Sequence, residues 1–257
     1  MALLKEERRE EILKEMETNG KVMVTELAKK FHVSEMTIRR DLNFIESSEV
    51  VRRVHGGAVL SLGNRDHEEP PTLDRMNLMA AEKKRIAKAA ADLIGLGEMV
   101  FIGSGTTALY VAHELHDRED ITVVSNAITV LNNLVTNGKM TLIGVGGFLR
   151  RNEFSMIGHF ADKSLADLHV DKVIMGIRGI HPRFGLTSEH PQELMTDRTI
   201  MGISDNIIIV ADHTKIGHVS SIRTNSIEKA SLIITGIEAP KEIVNSIIDM
   251  GVEVKLV

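Results

Sequence analysis

An apolar run at 99–102 is followed by Gly103-Ser-Gly-Thr-Thr107 and then by helical periodicity. This is the composition of an anion-binding turn. Gly103 and Gly105 let backbone approach a ligand without Cβ obstruction, and Ser104, Thr106 and Thr107 add hydroxyl donors. A helix beginning there supplies unpaired N–H groups and the positive end of its dipole, most naturally to a phosphate. Other polar residues fall near the ends of further apolar runs. Ser125 and Asn126 follow 121–124, Gly146 and Gly147 follow 140–145, and Lys215 follows 207–210. Asp171 begins the run around 173–175, and Arg178 lies just past its end. In an open α/β sheet, ligands collect outside the carboxyl ends of the strands. A phosphate turn with a lysine and hydroxyl or amide donors suits a small phosphorylated polyol. Two other readings stand beside this one. In the first, the glycines serve only a tight strand-to-helix connection. In the second, Gly103-x-Gly105-x-x-Ala108 is a dinucleotide fingerprint, although 121–124 ends in Ser125-Asn126 with no carboxylate for a ribose. The Gly-Lys-Ser/Thr of a nucleotide loop is absent.

A second constellation is cationic. Glu35, Thr37, Arg39, Arg40 and Asn43 share the exposed side of a helical pattern whose Met36, Ile38, Leu42 and Ile45 lie at roughly helical spacing. Arginine pairs with guanine bidentately and asparagine with adenine, and a recognition helix sets its N-terminal residues against base edges. Ser34 is placed to cap this helix, and Thr25 to cap the one before it, whose Leu27, Ala28 and Phe31 face inward. His32-Val33 make the tight turn between them, so the pair reads as a helix-turn-helix. An earlier helix, at 6–16, puts Ile12, Leu13 and Met16 on one face. After the pair, 50–54 alternates like a strand and runs into His55-Gly-Gly57, as the hairpin wing of a winged helix-turn-helix does. Arg52 or Arg53 then lies near phosphates. For the arginines alone, a solvated helix face with i,i+4 ion pairs is the plainer account.

The elements that must position these residues are legible as periodicity. Apolar bursts at 99–102, 121–124, 140–145, 173–175, 207–210, 232–234 and 252–257 alternate with helical patterns such as 82–94 and 193–203. Strands alternating with helices imply a largely parallel sheet covered on both faces. The polar stretch 61–71 ends in a proline pair and reads as a linker. The expected organisation is a DNA-binding domain at 1–60, a linker at 61–72 and a larger Rossmann-like α/β domain at 73–257.

Composition excludes several classes. The 257 residues are 43% hydrophobic and 26% charged, ordinary for a globular chain. Cysteine is absent, which removes disulfides, thiolate catalysis, zinc–thiolate sites and Fe–S clusters. No apolar run approaches the ~20 residues of a membrane helix, and the charged start lacks a signal core. A cytoplasmic protein is expected. With no Trp and one Tyr, stacking on single-stranded nucleic acid has little to work with. Net charge is −5, all of it outside residues 1–60, while 29–55 carry +2. Among eleven histidines, His113 and His116 are three apart and His181 and His190 flank a loop. None has a ligand spacing, and no metal is expected.

Val33-Ser-Glu-Met-Thr-Ile-Arg-Arg-Asp-Leu42, with Arg53-Val-His-Gly-Gly-Ala58 after it, resembles the DNA-binding domain of DeoR-family transcriptional regulators over about 7–59. One departure is Glu49, where the family usually has Gly before the wing strand. Residues 73–236 resemble the family's effector-binding domain through Gly-Ser-Gly-Thr-Thr, Ser-Asn-Ala, the glycine pair and Ala-Asp-His-Thr-Lys. That domain is similar in fold to ribose-5-phosphate isomerase. The isomerase has Asp-Gly-Ala-Asp where this chain has Met175-Gly-Ile-Arg178, so both carboxylates are gone. By that resemblance Glu193 stands near the place of the isomerase's catalytic Glu. Isomerisation needs a base beside a carbonyl, so the resemblance implies a pocket that kept a phosphate grip and lost the chemistry.

The expectation is a transcriptional regulator, a repressor of carbohydrate genes controlled by a phosphorylated sugar, with no cofactor and no catalytic residue. The DNA-facing set is Thr25, Ser34, Glu35, Met36, Thr37, Arg39, Arg40, Asn43, Arg52, Arg53 and His55. The effector set is Gly103, Ser104, Gly105, Thr106, Thr107, Ser125, Asn126, Gly146, Gly147, Asp171, Arg178, Glu193 and Lys215. The partners are duplex operator DNA, the effector and further copies of the chain, as homodimer or homotetramer, with no membrane. The alternatives are an isomerase-like enzyme with a DNA-binding head and an NAD-sensing repressor.

Overall fold

The structure, a computed structural model, describes Lys5, Arg8, Arg9, Glu11, Ile12, Glu15, residues 21–46, 51–54 and 57–60, Thr72 and residues 75–257. The chain divides into two compact units, Met1–His67 and Glu68–Val257. The expected linker residues 61–71 lie outside the described residues, but Thr72 is fully buried in the second unit.

In the first unit, β1 (Lys21–Met23) runs directly into α1 (Val24–Phe31), and α2 (Glu35–Glu46) follows a short turn. β2 (Val51–Val54) and β3 (Gly57–Leu60) form an antiparallel hairpin, and β1 joins it in the order β1-β3-β2. This is a winged helix-turn-helix. His32 closes α1 in the left-handed region at φ 55°, and its N–H reaches Ala28 O and Lys29 O. Glycine usually takes that position because a Cβ is disfavoured there. Ile12, Leu27, Ile38 and Leu42 form the centre of a small core, with Ala28 and Val33 against it.

In the second unit, seven parallel strands run in the order β15-β14-β12-β9-β4-β5-β6. They are β4 (Met99–Ile102), β5 (Thr122–Ser125), β6 (Thr141–Gly144), β9 (Lys172–Met175), β12 (Ile207–Val210), β14 (Leu232–Thr235) and β15 (Glu253–Leu256). Side chains alternate between two cores. Phe101, Val124, Val173, Ile207 and Ile233 face one, with α6 (His159–Ala166), α7 (Leu194–Gly202) and α8 (Lys241–Asp249) over them. Ile102, Val123, Ile174, Ile208 and Ile234 face the other, under α3 (Ala80–Ala91), α4 (Thr106–Glu114) and α5 (Ile128–Leu134). Burial on both faces is why these strands read as continuous apolar runs. A hairpin of β7 (Phe148–Arg150) and β8 (Ser155–Ile157) follows β6. A small antiparallel sheet of β10 (Gly179–His181), β11 (Gly185–Ser188) and β13 (Ile222–Asn225) completes the unit. The sequence patterns do not announce these short strands. Among the described residues no helix is long and apolar enough to cross a membrane.

Candidate functional site

The first unit presents one helix face. Ile38, Asp41 and Leu42 point inward, while Glu35, Met36, Arg39 and Arg40 are exposed. Met36, drawn at core spacing in the sequence, is 62% exposed and joins the arginine side, at i−3 and i−4 from Arg39 and Arg40. Ser34 caps α2 as expected: its Oγ accepts from Thr37 N at 3.2 Å and lies 2.9 Å from Thr37 Oγ1. The Thr37 hydroxyl is thereby engaged in the cap. Arg39 Nη2 reaches Glu35 Oε2 at 3.5 Å, an exposed i,i+4 pair of small worth. The expectation that Thr25 caps α1 is corrected. The cap position is Met23, without a side-chain bond, because β1 leads straight into the helix and leaves Thr25 exposed in its first turn. Arg52 and Arg53 lie on the wing strand opposite Val59 and Ala58. The side chain of Asn43, and His55, Leu13, Met16 and Glu49 altogether, lie outside the described residues, as does the side chain of Ile45.

In the second unit, the loops leaving β4, β9 and β12 converge at one edge of the sheet. A Cβ on Gly176 would stand 3.5 Å from Ser104 O and 3.9 Å from Val210 O, which places the three loops side by side. Gly105 holds φ at +103° as the cap position of α4, with Thr106 and Thr107 buried in the first turn. Gly103 serves packing. Its N–H bonds Ile174 O at 2.9 Å, and a Cβ there would press on Met175. Arg178, just past β9, and Lys215, just past β12, stand on two of these loops. Burial pushes both pKa values down, and the positive charges of Arg178 and Arg75 push Lys215 further in the same direction. Asp212 offsets this and also caps the 3-10 turn at His213–Lys215 through Thr214 N at 3.1 Å.

Several expected members are elsewhere or otherwise engaged. Asp171 is corrected. It stands just before β9 and accepts from Met99 N at 2.8 Å, so it lies at the amino ends of the parallel strands, opposite the converging loops. Ser125 Oγ donates to Ile102 O at 2.7 Å and accepts from Ala127 N at 3.0 Å, so its hydroxyl ties adjacent loops together. Asn126 Nδ2 donates to Met156 O at 2.9 Å, while its buried Oδ1 has no hydrogen-bond partner. Gly146 and Gly147 are exposed and border a depression of about 420 Å³ with Phe160, Lys163, Ser164 and Asp167, a set distinct from the cationic loops. Glu193 is buried, ion-paired to Arg150, and accepts from Ser188 Oγ at 3.3 Å.

Four charged residues at this edge carry no motif signal. Arg75 and Arg178 both bind the buried carboxylate of Glu153, the latter at 2.5 Å. Arg150 lies near Glu153 and Asp197. Burial pushes the Asp197 carboxyl up to about 7, against the pull of Arg150 and Arg178. A raised acid pKa stabilises the fold fully below the unfolded value of ~4, and that contribution is lost as pH rises through about 7. Asp197→Asn is therefore expected to raise the melting temperature of this unit at pH 8 by at least several degrees and by much less at pH 4.5. One pKa unit is about 1.4 kcal/mol, and ~1 kcal/mol moves the midpoint of a unit this size by ~2–4 °C. Calorimetric scans at the two pH values check it, and equal shifts at both would refute it.

One group among the described residues could hold a metal ion: Glu82, His213 and Glu238. Their atoms are already engaged. His213 N and Nδ1 lie 2.7 and 2.8 Å from the two oxygens of Glu82, and Arg85 donates to both oxygens of Glu238.

Residues 8–61 match the model of a DeoR-like helix-turn-helix domain, and residues 78–236 match that of a DeoR C terminal sensor domain. The chain is 32% identical to a putative aga operon transcriptional repressor of Escherichia coli O157:H7, across 98% of this chain and 93% of the relative. It is 31% identical to the glycerol-3-phosphate regulon repressor of Escherichia coli strain K12, across 95% of this chain and 96% of the relative. Among solved structures, a ribose 5-phosphate isomerase A from Methanocaldococcus jannaschii aligns with TM-score 0.39 at 15% identity, covering 53% of this chain and 54% of that one.

Proposed function

The chain belongs to the DeoR family of transcriptional regulators, and from that premise we propose that it represses carbohydrate genes and releases their operator when a phosphorylated sugar occupies the second unit. It is a DNA-binding regulator and not an enzyme, as its relatives are named repressors. The observation that carries the effector reading is that Arg178 and Lys215 stand on the adjacent loops after β9 and β12, beside the loop that opens α4, while Arg75 shares the Glu153 carboxylate with Arg178. Partly desolvated cations next to unpaired helix N–H groups favour an anion with several oxygens. The exposed arginine face of α2 and the β2–β3 wing are the DNA-facing surface, with Arg39 and Arg40 toward base edges or phosphates. The protein acts in the cytoplasm as a symmetric oligomer, because a two-fold protein reads a pseudo-palindromic operator through two linked contacts. The effector must bind the arrangement that does not fit the operator more tightly, and ~1–3 kcal/mol of such coupling gives ~5–150-fold derepression.

The test is thermal unfolding of the full chain with triose, pentose and hexose phosphates, the matching free sugars, NAD(H) and inorganic phosphate. A ligand at 100 times its Kd adds about 2.7 kcal/mol, a rise of roughly 5–10 °C for a unit of this size. A response confined to phosphorylated sugars, with release of duplex DNA from the chain's own upstream region, supports the reading. A response to NAD(H) alone, or to free and phosphorylated sugars equally, refutes it.

A further inference from the structure

We propose that Glu153 is an internal anion that occupies the cationic cluster of the second unit until an anionic effector displaces it, and that the displacement frees Thr72, near the start of that unit. The inference rests on the anion-pocket reading above and adds how that pocket is coupled to the chain leading toward the DNA-binding unit.

Glu153 sits in the turn of the β7–β8 hairpin and is almost completely buried. Its carboxylate is shared three ways. Oε1 accepts from Arg75 and from Arg178, and Oε2 accepts from Thr72 Oγ1 at 2.7 Å. The same turn binds the entering backbone, because Thr72 N donates to Asn152 O at 2.9 Å. Arg75 Nη2 also donates to Thr72 Oγ1 at 3.2 Å, and Lys83 Nζ donates to Arg75 O at 3.0 Å. Thr72 and Arg75 are thus held between the hairpin turn and α3, with Glu153 at the centre of the grip. The next residue, Phe154, has φ 53°, a left-handed conformation disfavoured for any side chain with a Cβ. The turn is held in place against that cost by what its side chains grasp.

Arg178 belongs to both systems. It holds Glu153 and stands on the loop after β9, beside the loop after β12 that carries Lys215. A phosphate offers more charge and more acceptor oxygens than a carboxylate and competes for the same guanidinium groups. When it takes Arg178 and Arg75, Glu153 loses both cations, and the hydrogen bonds holding Thr72 lose their anchor. Coupling is reciprocal, so whatever weakens the Glu153 grip must strengthen phosphate binding by the same factor.

The experiment pairs two readouts on the full chain, with inorganic phosphate as the probe. Its affinity is measured by calorimetric titration, and hydrogen exchange over 72–79 is followed by mass spectrometry. Glu153→Gln removes the charge and keeps the shape. It is expected to bind phosphate roughly 5–150-fold more tightly, the usual range of such coupling. In the unsubstituted protein, saturating phosphate is expected to speed exchange over 72–79 severalfold. Thr72→Val gives a second handle, because it leaves Glu153 on both arginines. Exchange over 72–79 should already be fast without phosphate, and by the same reciprocity phosphate affinity should rise by a matching factor. Phosphate binding with unchanged affinity in Glu153→Gln and unchanged exchange over 72–79 would overturn the displacement and leave the pocket reading intact. No phosphate binding by either the unsubstituted protein or Glu153→Gln would overturn both.

Discussion

Asp41→Ala is expected to unfold the DNA-binding unit at 37 °C while the second unit keeps its own melting transition. The carboxylate is 2% exposed and receives Arg8 Nε at 2.7 Å and Arg9 Nε at 3.1 Å. It lies between Ile38 and Leu42 in sequence and ties α2 to the chain segment that carries Ile12. Removing one partner of a buried ion pair costs about 3–5 kcal/mol, because the charges left behind are desolvated and uncompensated. A domain of this size has only about 5 kcal/mol or little more to lose. Nonspecific binding to duplex DNA at low salt should therefore vanish, though Asp41 is placed to touch no DNA. Calorimetry should show the second transition unmoved. A companion variant decides the cause. Asp41→Leu with Arg8→Met and Arg9→Met replaces the charges by apolar groups of similar size, which is often neutral or stabilising, and should restore the first transition. A single variant that still binds DNA and melts normally would show the ion pair to be dispensable.

That example also marks what sequence could and could not disclose. Ile38 and Leu42 are legible from spacing alone. Asp41 reads only as one more charge, since its partners lie 32 and 33 residues away. The seven parallel strands are legible because strands buried on both faces must be apolar throughout. β7 stays hidden because it has three residues, two of them exposed and the third Arg150, and β11 because two of its four buried positions are Thr187 and Ser188. The candidate pocket divides the same way. Gly105, Thr106, Arg178 and Lys215 lie just past strand ends, where topology makes position readable. Glu153 and Asp197 reach the same place from a hairpin and a helix with no strand-end signal. Asp171 differs. It precedes its apolar run and so marks an amino end, which parallel pairing sets at the opposite edge of the sheet from the carboxyl-end loops.

Lys215→Met is expected to weaken binding of a phosphorylated ligand by about two orders of magnitude and to leave the second unit as stable as before or more so. The two effects have opposite origins. Burial and the neighbouring Arg178 and Arg75 push the Lys215 pKa down, so the charged form is held at a cost in the folded protein. A lowered basic pKa means that the ammonium present at neutral pH opposes folding, and replacing it with an apolar chain of similar length removes that opposition. For an incoming phosphate the same ammonium is a desolvated partner in a low-dielectric site, where loss of one member of a close charge pair costs about 2–5 kcal/mol. A lysine serving only packing, or only the attraction to Asp212, would lose stability on substitution and change ligand affinity little. Thermal unfolding without ligand and titration with the phosphorylated ligand found in the panel separate these cases. A fall in both stability and affinity would assign Lys215 to the scaffold, whereas a fall in affinity alone makes it a group held ready for the anion.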